Sequence, residues 1–359
     1  MGLRFSNVFL RRPFEVKPVG HLIEAIADLD NLKLAFVKSC RAKPLTLDRL
    51  DFRGDVEANL RSIGDALLSG SYAPGPYRFF TIIDPKERRI SAAPFRDRVT
   101  QHAIMNILDP LFERVQIHHS YACRKGKGTK LAVLTAFHHC KSQAWFLKLD
   151  VRKYFDSISH EILKKQIRRL VSDSLVLAAL FAIIDSYETT PGRGLPIGNL
   201  TSQYFANHYL SGYDHVALEK LRIGRYIRYM DDMALWAEEK ECLVAAEKVL
   251  RSYAECELGL VLKVPILNRV AAGVPFCGFL IKSRGIFLMD KTRRRYRRTQ
   301  HALMAGLAQG TLDQQGYADR ALASASHLAI ARSRRFRYAV FRQGFYGVEP
   351  RETGWQLEQ

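Results

Sequence analysis

The stretch RYIRYMDDMALWA, residues 225–237, sets two adjacent carboxylates, Asp231 and Asp232, between two apolar runs. The bulky residues on either side predict two strands, and the acids at the join predict a tight hairpin. Side-by-side acids at a tip repel each other. They are tolerated as a solvated turn, or where a divalent cation neutralises them. On this stretch alone both readings stand.

A second segment bears on the choice. In WFLKLDVRKYFDSISHEIL, residues 145–163, Asp150 ends an apolar run that predicts a buried strand. By itself it is a strand-terminating acid. Should the two segments meet, three carboxylates share one cleft. That donor set suits two divalent ions about 3.5–4 Å apart, which activate a hydroxyl and stabilise a leaving pyrophosphate. Oxygen-only ligands favour Mg²⁺ over Zn²⁺.

The rest of the chain narrows the class. Its 359 residues carry 55 Lys and Arg against 36 Asp and Glu, a net charge of +19. Hydrophobic residues make up 47%, enough for a large core, which excludes intrinsic disorder and a collagen-like or disulfide-scaffold chain. The excess charge points to a polyanion, either nucleic acid or an anionic membrane. The longest apolar run, Leu175 to Ile184, has ten residues, half of what a bilayer span needs, and the N-terminus has no signal-peptide core. No membrane partner is therefore expected, and nucleic acid leads. Cys40, Cys123, Cys140, Cys242, Cys256 and Cys277 show no CxxC spacing and read as reduced thiols of a cytoplasmic protein.

Apolar spacings of three and four predict helices within 21–70, at 97–113, from Ser159, at 175–184, 201–221 and 241–257, and throughout the region from Lys291. Strands are expected at 77–83, 89–92, 145–151 and in the 225–237 hairpin, with FCGFLI and GIFLM as two more, split by SRG. The pattern is α+β, with strands in the middle.

Taken together, these segments resemble the reverse transcriptases. YMDD at 229–232 matches their catalytic hairpin and LDVRKYFDSI the strand of the first catalytic Asp. DPKERRISAAPFRDRVTQHAI, SYACRKGKGTKLA, GLPIGNLTSQYFAN and FCGFLI match further blocks, in the family's order, over roughly residues 75–285. The resemblance implies a right-hand polymerase with fingers, an antiparallel palm sheet with helices, and a helical thumb. The expected division is an N-terminal helical extension at 1–75, fingers and palm at 76–288, and a basic thumb at 289–359. The implied reaction is DNA synthesis on an RNA template from dNTPs, with Mg²⁺ as a pair of ions and Mn²⁺ able to substitute. RNase H, endonuclease and integrase domains are not expected.

Carried over by residue, the resemblance makes Asp150, Asp231 and Asp232 the catalytic metal ligands, with the Val151 carbonyl as an extra ligand. Phe155 falls at the aromatic steric gate against a ribose 2′-OH; otherwise it is a core residue. Lys86 and Arg89 fall where relatives hold the triphosphate, and Arg88 competes with Arg89. Lys263 is the candidate proton donor to pyrophosphate, with Arg269 as rival, because the usual GLxLxxxKT-like stretch reads GLVLKVPILNRV here.

Most of the family carry Gln where this chain has Ile197. LPIGNLTSQ at 195–203 resembles the enzymes of diversity-generating retroelements, which copy a template RNA with many errors at adenine. An apolar branch in place of an amide would leave the incoming nucleotide less restrained; otherwise Ile197 simply packs. That lineage implies a template RNA that also primes, an RNA–cDNA duplex product and a small basic helical accessory protein. A reverse transcriptase of antiviral defence, and a non-catalytic RNA-binding palm, are the alternatives.

In KTRRRYRRTQ, six of the eight residues 291–298 are basic and none is acidic. Arg293, Arg294, Arg295, Arg297 and Arg298 therefore read as a helix along a duplex, touching phosphates without reading sequence. The pairs His118–His119 and His138–His139 are expected to face apart, and GKGT at 126–129 lacks the order of a phosphate loop.

Overall fold

The computed structural model describes residues 17–41, 46–83 and 87–346. Helices Ile23–Ala27, Leu29–Cys40, Leu47–Gly54 and Val56–Leu68 come first. Asp28 and Asp55 begin two of them by accepting backbone N–H groups of the first turn. Asp173 does this twice over. Its Oδ1 caps the helix Ser174–Asp185, and its Oδ2 accepts from Leu22 and Ile23 at 2.8 and 3.1 Å. One carboxylate thus ties the N-terminal helices to the middle of the chain.

A hairpin of β1 (Arg78–Ile83) and β2 (Glu87–Ala92) follows, with every β1 residue exposed. The central sheet consists of β3 (Trp145–Asp150), β4 (Tyr226–Tyr229), β5 (Asp232–Ala237) and β6 (Ile266–Arg269), in the order β4-β5-β3-β6 with every neighbouring pair antiparallel. A third sheet joins β7 (Val274–Phe276), β8 (Phe279–Lys282) and β9 (Gly285–Leu288). Helices Asp290–Ala308, Gln314–Leu328 and Arg334–Tyr346 close the described chain.

Period-two alternation places the central sheet between two cores. Leu147, Leu149, Met233 and Leu235 point into the larger, shared with the N-terminal helices. Phe146, Ile227, Ala234 and Trp236 point into the smaller, shared with the helix Thr129–Ser142 and the β7–β9 sheet.

Two expectations need correction, and one strand went unforeseen. FCGFLI is not one strand: Cys277 and Gly278, with φ of 48° and 84°, turn the chain between β7 and β8. The 201–221 helix is three pieces, Leu200–Tyr209, Ser211–His215 and a wider π turn at Val216–Lys220. Strand β6 was not expected at all.

Candidate active site

Strands β3 and β5 bring the two distant segments together. Their register pairs Asp150 with Asp232, and β4 pairs Tyr229 with Asp232, leaving Met230 and Asp231 as a two-residue loop. Met230 takes φ of 56°, the left-handed conformation that tight hairpin loops require and that costs a non-glycine residue about 1–2 kcal/mol.

The three carboxylates are partly buried and feel one another. Burial pushes Asp232 up to about 7, with Asp150 and Asp231 adding to the rise and Lys148 opposing it. The Lys148 ammonium lies 3.2 Å from its Oδ2, while its Oδ1 is buried without a hydrogen-bond partner. Burial also raises Asp231, followed by the charge of Asp150, whereas Lys263 and Arg88 pull it down. Asp150 accepts from Lys263 Nζ at 2.7 Å. Among the described residues, no three His, Cys, Asp or Glu side chains are already gathered as ligands around one point. The orphaned Oδ1 of Asp232, and a donor set made of hard oxygens alone, are nevertheless what a divalent cation would take. Val151 is buried beside them, bridged to Leu262.

A cleft of about 860 Å³ is lined among others by Arg88, Arg89, Lys153, Tyr187, Arg193 and Ile197, while the three acids are not among its lining residues. Two of its three arginines, Arg88 and Arg89, differ. Arg89 stacks over the Phe79 ring at 4.0 Å, whereas Arg88 is the one whose charge reaches Asp231. Lys86 lies outside the described residues. The Ile197 carbonyl accepts from Ser91 at 2.9 Å, so this loop is stitched to β2. Gly198 follows with φ of 119°, and a Cβ there would meet Ile90 at 3.0 Å. Phe155 is half-buried, edge-on to Tyr154 at 5.9 Å, and packs against the larger core.

The five arginines of the basic helix divide. Arg293 and Arg297 lie over the Phe336 ring, at 5.7 and 5.3 Å. Arg294, Arg295 and Arg298 line a cavity of about 420 Å³ with Lys291. The histidine pairs form one cluster: rings within each pair are neighbours, at 4.9 Å for His118–His119 and 5.9 Å for His138–His139, His119 and His139 lie 6.2 Å apart, and His139 packs on Trp236 at 5.2 Å.

Two residues at the site were not anticipated. Lys148 interrupts an apolar strand two positions before Asp150, and Arg228 interrupts YIRY. A lone basic residue inside an otherwise apolar strand was the available signal, because such a charge needs a partner when buried.

Residues 84–263, about half of the chain, match the family model described as reverse transcriptase (RNA-dependent DNA polymerase). Protein YkfC of Escherichia coli is 27% identical over 179 residues, covering 46% of this chain and 47% of that protein. The group II intron-encoded protein LtrA of Lactococcus lactis is 26% identical over 199 residues, 52% of this chain and 33% of that protein. The putative COX1/OXI3 intron 1 protein of Saccharomyces cerevisiae is 28% identical over 220 residues, 57% of this chain and 26% of that protein. The chain thus spans between a quarter and a half of these relatives.

Proposed function

Since the chain belongs to the reverse transcriptase family, we propose that it is an RNA-directed DNA polymerase whose active centre is built on Asp150, Asp231 and Asp232. The observation that carries this reading is the register of β3 and β5, which sets Asp150 opposite Asp232 with Asp231 at the adjoining turn. The three side chains, with the Val151 carbonyl, would hold the Mg²⁺ pair. Bound there, the ions would supply an activated 3′-hydroxyl and charge neutralisation at the leaving pyrophosphate.

The chain's own residues do the rest. The cleft would take the dNTP, with Arg88, whose charge reaches Asp231, meeting its triphosphate and Arg89 held back on Phe79. Phe155 would present its ring edge to the sugar. Lys263, already on Asp150, would return a proton to pyrophosphate. Arg269 stacks on Trp145 at 4.9 Å, at the other end of β3, and is out of reach. The helix Asp290–Ala308 would track the template–primer duplex through the phosphates.

The finer reading is an error-prone enzyme of a diversity-generating retroelement, with a self-priming template RNA and a small basic accessory protein. It rests on Ile197, which lines the nucleotide cleft with an apolar side chain. The test of the polymerase reading is extension of oligo-dT on poly-rA by Asp231→Asn and Asp232→Asn. Extension should fall at least a thousandfold, equivalent to about 4 kcal/mol of transition-state stabilisation, with RNA binding within a few-fold of wild type. Extension surviving in both variants would leave a non-catalytic RNA-binding module as the function.

A further inference from the structure

Behind the Asp231–Asp232 turn lies a charged pair with no exposure at all: the side chains of Arg228 and Asp214 are both 0% accessible. Arg228 Nε donates to both Asp214 oxygens, at 2.8 and 2.9 Å, and Nη2 to Oδ2 at 2.6 Å. The Tyr226 hydroxyl donates to Asp214 Oδ1 at 2.6 Å. The outer edge of the guanidinium reaches further. Nη1 donates to Asn207 Oδ1 and to the Met230 carbonyl, both at 3.1 Å, and Nη2 to Gln116 Oε1 and the Asn207 carbonyl, both at 3.2 Å.

Stability alone is a poor explanation for this pair. Desolvating two charges tends to cancel their attraction, and well-packed apolar residues of similar volume do as well or better. What an apolar pair cannot supply is a donor to the Met230 carbonyl. Met230 is the residue in left-handed conformation, and its carbonyl belongs to the peptide that leads into Asp231. An arginine can bind a carboxylate with one side of its fork and a carbonyl with another, whereas a lysine is a point donor on a flexible stem.

We propose that Arg228, held by Asp214, is a positioning residue that fixes the Met230 peptide and thereby the placement of Asp231 and Asp232. It touches neither substrate nor metal. The inference rests on the polymerase reading above, and the test separates the two. It starts from a wild type shown to extend a primer and an Asp231→Asn variant shown not to; without that difference the polymerase reading itself fails.

Three variants are compared: Arg228→Lys, Asp214→Asn, and the double variant Arg228→Met with Asp214→Leu, which replaces the pair by apolar bulk and protects against a simple folding failure. For the double variant, the kcat of extension should drop at least tenfold, with KM for dNTP and template–primer affinity within threefold of wild type. Hydrogen exchange in the peptide spanning 225–237 should accelerate at least tenfold, while that of the helix Lys240–Leu258 stays unchanged. Arg228→Lys should recover less than a third of the lost kcat, because it cannot serve the carboxylate and the carbonyl together. A double variant with wild-type kcat and unchanged exchange at the turn overturns the proposal. So does a loss carried by KM alone, or full recovery by lysine, since either would make the pair a packing or charge element only.

Discussion

Lys263 grips Asp150 at two places: its ammonium stands 2.7 Å from Oδ1, and its backbone N–H donates to the Asp150 carbonyl at 2.8 Å. The second bond belongs to the separate antiparallel bridge between Val151 and Leu262, just past the end of β3, so the backbone aims the side chain. The link is local and cationic, and it stands where charge would build up in a reaction at these acids.

Sugar selection gives one test. Phe155 is half-buried and leans on Tyr154. If its exposed edge faces the incoming sugar, Phe155→Ala should raise incorporation of rNTPs relative to dNTPs by at least tenfold in single-nucleotide assays. An unchanged ratio would make Phe155 purely a packing residue.

Fidelity gives another. Ile197→Gln should lower misincorporation opposite template adenine more than opposite the other bases, as read by deep sequencing of cDNA made on one RNA at matched activity. A tenfold gain needs only about 1.4 kcal/mol, within the reach of one or two hydrogen bonds. Equal accuracy at adenine and cytosine in the wild type would remove the main support for the retroelement reading and favour an antiviral role.

The split among the basic-helix arginines predicts unequal effects on duplex binding. Replacing Arg294 and Arg298 together by Ala should reduce the slope of log affinity against log salt by up to about 1.8, near 0.9 for each lost phosphate contact. Replacing Arg293 and Arg297, which stack on Phe336, should leave the slope nearly unchanged and lower the melting temperature instead. Anisotropy titrations at several salt concentrations and thermal melts distinguish the two.

A pH effect follows from His139. Burial, first of all, lowers it to about 4, with Arg225, His119 and His138 adding to the shift, and neither ring nitrogen has a hydrogen-bond partner. The unfolded chain therefore takes up this proton first, from pH about 6.5 downward. Its contribution is fully present above that pH and is lost as pH falls toward 4, by as much as roughly 3 kcal/mol. His139→Phe, which keeps a ring against Trp236, should flatten the acid limb of a urea-midpoint series between pH 4.5 and 7.5 by about one proton. An identical slope in both proteins would refute the assignment.

The strands that carry the acids were legible because they are apolar runs ended by charge: WFLKLD and YIRY–DMALWA announce both the strands and the turn. β6 was not, because Ile266–Arg269 is a largely exposed edge strand, and an exposed edge need not alternate. The β7–β8 turn was hidden by apolar neighbours on both sides of Cys277 and Gly278. The partners of Lys148 and Arg228 lie 84 and 14 residues away, and no local pattern encodes them. The two histidine pairs meet for the same reason: His119 and His139 are 20 residues apart, and the packing of the helix Thr129–Ser142 brings their rings to 6.2 Å.

The central sheet is filled on both faces, and this makes the alignment of the acids self-correcting. Sliding β5 past β3 by one residue would exchange Met233 and Leu235 with Ala234 and Trp236, forcing large side chains into a space shaped for small ones. Sliding by two would keep the faces but offset Asp232 from Asp150 and leave the ends of the two strands unmatched. Misregistered conformers thus carry a packing penalty set far from the acids themselves. A chain that completes its cores has, by the same act, put Asp150 across from Asp232, so greasy residues remote from the turn act as the proofreaders of the acids' alignment.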